Sequence, residues 1–247
     1  MPILSTEKVT KRFGSLVATD RVDLEVTEGS LTAIIGPNGA GKTTFFNLLT
    51  GLLEVDGGRI FFDGKEITRL PPFERVKLGI SRAFQVVNVF KELSVFENMA
   101  IAAQAGTPYG RDLFTDVRSL DDVNKRSEGI LERMGLTRKK ESLAGHLSHG
   151  EMKILDIGLA LASSPKLILL DEPTSGLSPA ESQEMTRLIQ ELATSLTVIL
   201  IEHDMDIVLN IAQTITVLQQ GAVIARGTPE EIRRNERVQQ AYLGGVI

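Results

Sequence analysis

The chain contains no cysteine, which excludes disulfides and thiolate metal sites and leaves its redox compartment open. It has no surplus of positive charge. Twenty-seven Lys and Arg stand against 32 Asp and Glu, a formal net charge of −5, which argues against a nucleic-acid partner. It has no apolar run near the roughly 20 residues of a membrane span, since "KLILL" and "TVILI" are strand-sized. Its opening, "MPILSTEKVTKRFG", lacks the apolar region of a secretion signal. No internal repeat or low-complexity tract stands out. What is there is an ordinary globular composition, 42% apolar and 24% charged, over 247 residues, ample for a core. The expectation is a soluble or peripheral protein of the cytoplasm.

Short continuous apolar runs, "LTAII" (Leu31 to Ile35), "KLILL" (Lys166 to Leu170) and "TVILI" (Thr197 to Ile201), read as buried strands. "LEV" (Leu24 to Val26) reads as a further strand and "GRIFFDGKEI" as a hairpin. "TTFFNLLTGLL", "SPAESQEMTRLIQELATS" and "DIVLNIAQ" read as helices, and "TITVLQQGAVIARG" as a hairpin turning at Gln220-Gly221. Thr228-Pro229-Glu230-Glu231 starts a last helix. Strand and helix alternate, so an α/β fold with a largely parallel sheet is expected. From about Val86 to Ala162 there are helical patterns and loops but no clear strand. There Ser94 and Glu97 form a capping box, Thr107-Pro108-Tyr109-Gly110 is a loop, and "DDVNKRSEGILERMGL" is an amphipathic helix ending near Gly135.

"GPNGAGKTT" (Gly36, Pro37, Asn38, Gly39, Ala40, Gly41, Lys42, Thr43, Thr44) follows a buried strand and precedes a helix. It matches G-x-x-x-x-G-K-[ST] in full. Its glycines let successive N–H groups curl inward onto phosphate oxygens, Lys42 adds charge, and the Thr43 hydroxyl can ligate Mg²⁺. The pattern predicts a bound nucleoside triphosphate. "LILLDEP" (Leu167 to Pro173) puts Asp171 at the carboxyl edge of a strand, suited to Mg²⁺ through water. Glu172, one step on, is placed to polarise a water for attack on the γ phosphate. His203 follows another buried strand and can reach the same edge. Gln85, in "SRAFQVVNVF", is a further candidate metal ligand. "LSHGE" (Leu147 to Glu151) opens a helix with Ser148 and Glu151 as a capping box, and a helix start is also a place for an anion.

These residues stand in the order shared by the ATP-binding subunits of ABC transporters, and the resemblance covers essentially the whole chain. "GPNGAGKTT" resembles Walker A, Gln85 the Q-loop, "LSHGE" the signature, "LILLDE" Walker B, "SGLS" (Ser175 to Ser178) the D-loop, and His203 the switch histidine. Phe13 resembles the aromatic residue that stacks on adenine. Two departures stand out. The common signature is LSGGQ, whereas His149 and Glu151 replace its first glycine and its glutamine. Ser178 stands where the D-loop usually has aspartate.

The resemblance implies a P-loop ABC-type core, about 1–85 and 163–247, with an antiparallel β subdomain and a helical subdomain, about 86–162. It implies ATP hydrolysis with ATP and Mg²⁺. Two subunits, identical or different, would meet head to tail, each triphosphate held by Walker A of one and by Ser148, His149, Gly150 and Glu151 of the other. It also implies transmembrane permease partners, an extracytoplasmic solute-binding protein indirectly, and a peripheral place on the inner face of the cell membrane. "KRFGSLVATDRVDLEV", "SRAFQVVNVFKELSVFENM", "LIEHDMDIV" and the ending "AYLGG" are most similar to the branched-chain amino acid importer branch. Urea importer and lipopolysaccharide exporter ATPases share much of this wording. A non-transport ABC ATPase is the remaining alternative; neither a sustained heptad tract nor a second Walker A is present.

Overall fold

The structure is a computed structural model that describes residues 2–83, 87–105, 107 and 120–243. The chain forms two compact units, residues up to 75 together with those from 190 onward, and residues 76–189. The first unit opens with β1 (Pro2–Phe13), β2 (Leu16–Thr27), β3 (Leu31–Ile35), α1 (Lys42–Thr50), β4 (Gly57–Phe62) and β5 (Lys65–Glu66), and the chain leaves it along α2 (Pro72–Leu78). The second unit holds β6 (Ile80–Ala83), α3 (Val95–Ala105), α4 (Asp121–Arg133), α5 (His149–Leu161), β7 (Leu167–Asp171) and most of α6 (Pro179–Ala193). The first unit is completed by β8 (Thr197–Ile201), α7 (Met205–Ile211), β9 (Thr214–Gln219), β10 (Ala222–Gly227), α8 (Pro229–Arg234) and α9 (Glu236–Leu243).

In the first unit β3 is flanked by β8 and β9, both parallel to it, and β10 pairs antiparallel with β9. Every residue of β3 and β8 is buried, as continuous aliphatic runs demand in a sheet covered on both faces. The β9–β10 hairpin turns at Gln220 and Gly221, both at positive φ (48° and 80°), as a two-residue turn with the strand twist requires. A separate antiparallel sheet runs β2-β1-β4-β5. β1 has no clean alternation in the sequence, and the reason is visible. Lys8 sits at φ 50° and the register with β2 shifts between Thr6 and Val9, so bulges break the period of two.

Helix α1 stops at Thr50, short of the expected Leu53, because Gly51 turns left-handed (φ 77°) and caps it. Its last carbonyls are met by a buried cation. Arg75, 2% exposed, donates from Nη1 to the Leu48 and Leu49 carbonyls (2.7 and 2.8 Å), from Nε to Leu70 and from Nη2 to Thr68. Burial pushes its pKa down to about 10, so it stays charged at neutral pH and complements the negative end of the α1 dipole. Arg75→Met keeps much of the volume and strands these acceptors. We expect a loss of about 3 kcal/mol, from charge-assisted bonds of ~1.5–3 kcal/mol each that do not add. Calorimetry should then show Tm falling by roughly 6–12 °C.

In the second unit β6 and β7 pair in parallel, and α5 packs on both and on α3 and α4. A methyl on Gly158 of α5 would come 2.8 Å from Met99 Cε and 3.2 Å from Met134 Cγ, so this glycine lets the three helices close. Ser94 and Glu97 cap α3 reciprocally, and α4 ends one residue before Met134, with Gly135 left-handed beyond it. Among the described residues of 87–162 the only strand-like pairing is a bridge between Ser94 and Leu143. Residues 108–110 of the expected loop lie outside the described residues.

Candidate functional site

The phosphate loop grows out of the C-terminal end of β3. It lies over the β2 strand and the β9–β10 turn: Gly221 N donates to Ala40 O (3.0 Å) and Asp20 N to Gly221 O (2.8 Å). Two glycines are required by contact. A Cβ on Gly36 would stand 2.1 Å from Leu218 O, and one on Gly41 2.2 Å from Ala18 O. Lys42, largely buried, donates to the Gly36 and Pro37 carbonyls (2.8 and 3.1 Å), its ammonium folded back across the loop. Thr43, in the first turn of α1, is exposed, and Thr44 half-buried. A recess of about 230 Å³ is lined by Pro37, Asn38, Gly39, Ala40, Gln219, Gln220, Gln240 and Ala241, so α9 borders the loop. Burial pushes the Tyr242 hydroxyl of α9 up to about 12, against a smaller pull from the nearby Gly36 backbone.

β8 runs beside β3 with Ile201 level with Ile34, so its end opens at the same edge as the phosphate loop. There Glu202 is fully buried and His203 is exposed, with His203 Nδ1 3.7 Å from Glu202 Oε2 and the His203 amide donating to that oxygen (3.2 Å). Phe13 lies at the end of β1, 47% exposed, with Lys11 Nζ 5.7 Å from its ring centre. An exposed aromatic face there is open to a flat ligand.

The second unit gathers the carboxylates, the signature and the D-loop. Asp171 ends β7, and Arg82 of β6 donates from Nη2 to its Oδ2 at 2.6 Å. Glu172 follows with φ 48°, a left-handed conformation that turns the chain sharply off the strand. Lys153 of α5, buried, donates to the carbonyls of Glu172 (3.1 Å), Pro173 (3.1 Å) and Ser175 (2.6 Å). The signature helix thereby holds the backbone on which Glu172 stands. Neither Arg82 nor Lys153 is signalled by the sequence, because each finds its partner only in the fold.

The expected capping boxes are present. Glu151 N donates to Ser148 Oγ (3.2 Å) and Ser148 N to Glu151 Oε2 (2.9 Å), so Ser148 caps its own helix. Burial raises the Glu151 pKa, but hydrogen bonds from Lys139 and Ser148 outweigh it and hold the carboxyl below its usual range. Ser178 and Glu181 repeat the device at α6. The Ser178 hydroxyl and amide hold Glu181 low, and His149 adds a smaller electrostatic pull. A Cβ on Gly176 would lie 3.6 Å from His149 Nε2, and one on Gly150 3.0 Å from Glu181 Oε1. The signature and D-loop are therefore in contact, with the His149 ring laid beside Gly176. Gln85, the candidate metal ligand between β6 and the helical block, lies outside the described residues.

A family model described as ABC transporter matches residues 19–175. The chain belongs to the ABC transporter ATP-binding family. A second model, for a branched-chain amino acid ATP-binding cassette transporter, matches residues 222–246, over the stretch from β10 to α9 that borders the phosphate loop. The cassette is 41% identical over 250 residues to the high-affinity branched-chain amino acid transport ATP-binding protein BraF of Pseudomonas aeruginosa, covering 98% of each chain. It is 38% identical over 252 residues to the corresponding LivG of Escherichia coli, again covering 98% of each. Its fold matches an ABC transporter cassette crystallised in an ADP conformation with a TM-score of 0.89, at 36% identity over 99% of each chain. A dimeric cassette in a post-hydrolysis state with ADP and Pi matches with a TM-score of 0.76, at 26% identity, over 92% of this chain and 98% of that one. The cassette is thus an α/β P-loop ATPase of the ABC type, and it binds nucleotide.

Proposed function

We propose that this cassette is the ATP-hydrolysing subunit of an importer for branched-chain amino acids. The observation that carries the reading is the likeness to the branched-chain amino acid cassettes, which spans nearly the full chain and includes the C-terminal match at residues 222–246. No described helix is long and apolar enough to cross a membrane. The importer reading implies separate permease subunits, with the cassette peripheral on the cytoplasmic face and a solute-binding protein acting from outside.

In this reading Walker A cradles the triphosphate, Phe13 stacks on the base, and Glu172 and His203 serve hydrolysis. Ser148, His149, Gly150 and Glu151 face the nucleotide of a second cassette, identical or homologous. Thr43, Asp171 and Gln85 would hold Mg²⁺, which supplies charge neutralisation of the phosphates. The described donors suit that ion, since Asp171 offers a carboxylate and Thr43 a hydroxyl, and Mg²⁺ is commonly held by one or two carboxylates plus phosphate and water. Hydrolysis then removes the bridge between cassettes, and the helical block, residues 86–162, carries the motion to the permeases.

The surface for that hand-over is the segment before α3. Asn98, buried, grips the Phe90 backbone from both sides, accepting from Phe90 N (2.8 Å) and donating to Phe90 O (2.9 Å), and presents the Phe90 ring 61% exposed. Val86, four residues before Phe90, lies outside the described residues. In membranes carrying the assembled transporter, solute-binding protein loaded with leucine, isoleucine or valine should raise the ATPase rate, and urea should not. Stimulation by urea alone would discard the substrate assignment. Phe90→Glu should cost ~2 kcal/mol of docking, as an aromatic anchor does, and lower stimulated transport roughly 30-fold while basal ATPase holds. Unchanged transport would remove Phe90 from the contact.

A further inference from the structure

Asp171 is a carboxylate that the reading above assigns to a metal, yet in this structure it is engaged by a cation of the protein. Arg82 and Asp171 meet at 2.6 Å with side chains 6% and 1% exposed. The register explains the reach. Arg82 lies level with Leu169 on β7, and its side chain extends along the strand direction to the carboxylate two residues on. Such a pair is a poor source of stability, because desolvating two ions offsets most of their attraction, and apolar replacements are often neutral. Its placement among mostly aliphatic strands calls for a use. A buried carboxylate kept for a divalent ion must also survive when that ion is gone, and an uncompensated buried anion is expensive.

We propose that Arg82 is a built-in counter-cation, holding Asp171 while no divalent ion is present and opposing that ion when it arrives. The inference rests on Asp171 belonging to the Mg²⁺ site. The guanidinium brings a positive charge in a planar fork that matches a carboxylate. Mg²⁺ approaching the same carboxylate meets that charge at close range, in surroundings less screened than water. Arg82 therefore sets how weakly the metal is held, and so how readily the site is emptied between cycles. Its position serves this use: Arg82 stands on the strand that enters the segment containing Gln85, three residues on. Lys153 lines the same small void beside Asp171, together with Asp156, so the carboxylate keeps a cationic neighbour when Arg82 is replaced.

The test is the affinity of full-length cassette for a non-hydrolysable ATP analogue, measured by calorimetry with Mg²⁺ and again with EDTA. The ratio of the two affinities reports the metal alone. Arg82→Met and Arg82→Gln should each raise that ratio on the order of tenfold and leave the EDTA value unchanged, while Arg82→Lys, which keeps the charge, stays near the wild type. Either neutral variant decides the matter if the other fails to fold. A ratio that is unchanged or lowered in the neutral variants overturns the proposal. Asp171→Asn separates the two layers. If it leaves the ratio at the wild-type value, the metal-site reading of Asp171 fails, and Arg82 loses its role with it. If it collapses the ratio, the sign of the Arg82 effect stands as the deciding result.

Discussion

Glu172→Gln should abolish steady-state ATP hydrolysis, lowering the rate by about 10²–10⁴, the usual worth of a positioned general base. An amide cannot take the proton from the attacking water, yet it fills the same space, so ATP binding should persist. The structure adds why this position is not interchangeable with its neighbours. At φ 48° Glu172 departs from the line of β7, which costs roughly 1–2 kcal/mol for a residue with a Cβ. Lys153 offsets that strain by gripping the Glu172, Pro173 and Ser175 carbonyls. With turnover blocked, ATP-bound cassettes should accumulate as dimers on size exclusion in Mg²⁺-free ATP. A variant that hydrolyses within roughly threefold of wild type would deny Glu172 the role of base, and one that stays monomeric would deny ATP-driven pairing to the isolated subunit.

Gly41→Ala should be as damaging on the binding side, and Gly39→Ala should not. Gly41 sits at φ 97° with the Ala18 carbonyl oxygen 2.2 Å from where a Cβ would be and Gly221 Cα 3.5 Å away. Both neighbours are backbone, so neither can swing aside. Strain of ~1–3 kcal/mol and overpacking of a similar ~1–3 kcal/mol put the cost at roughly 2–6 kcal/mol. The loop must lift from β2, and its N–H groups lose their common focus. Affinity for a fluorescent ATP analogue should fall on the order of 100-fold or more, because each ~1.4 kcal/mol is a factor of ten. Gly39 also has positive φ, 77°, but nothing lies within 4 Å of its Cβ direction, so only local strain of about 1–2 kcal/mol is expected there. Equal losses for the two variants would show that torsion, not contact, governs the loop.

The readable parts of this molecule are those whose causes are close in sequence. A capping box spans four residues, and Ser94, Ser148 and Ser178 all act as their spacing predicts. β3, β7 and β8 announce themselves as short, predominantly aliphatic runs because they are buried on both faces. β6 stayed hidden. "ISRA" is four residues with a serine and an arginine, and only pairing with β7, more than eighty residues later, makes it a strand. Arg82 and Lys153 were missed for the same reason, their partners being 89 and 19 to 22 residues away. The α9 helix that borders the phosphate loop likewise carries no local signal tying it to Asn38 and Gly39.

The three bonds of Lys153 make one lever of two elements. An ammonium shut away from water cannot let go of its acceptors cheaply, so α5 and the turn after β7 must shift together or not at all. Any neighbour that tugs on the front of α5 therefore also tilts Glu172, the proposed base, and the reverse holds when the surroundings of Glu172 relax.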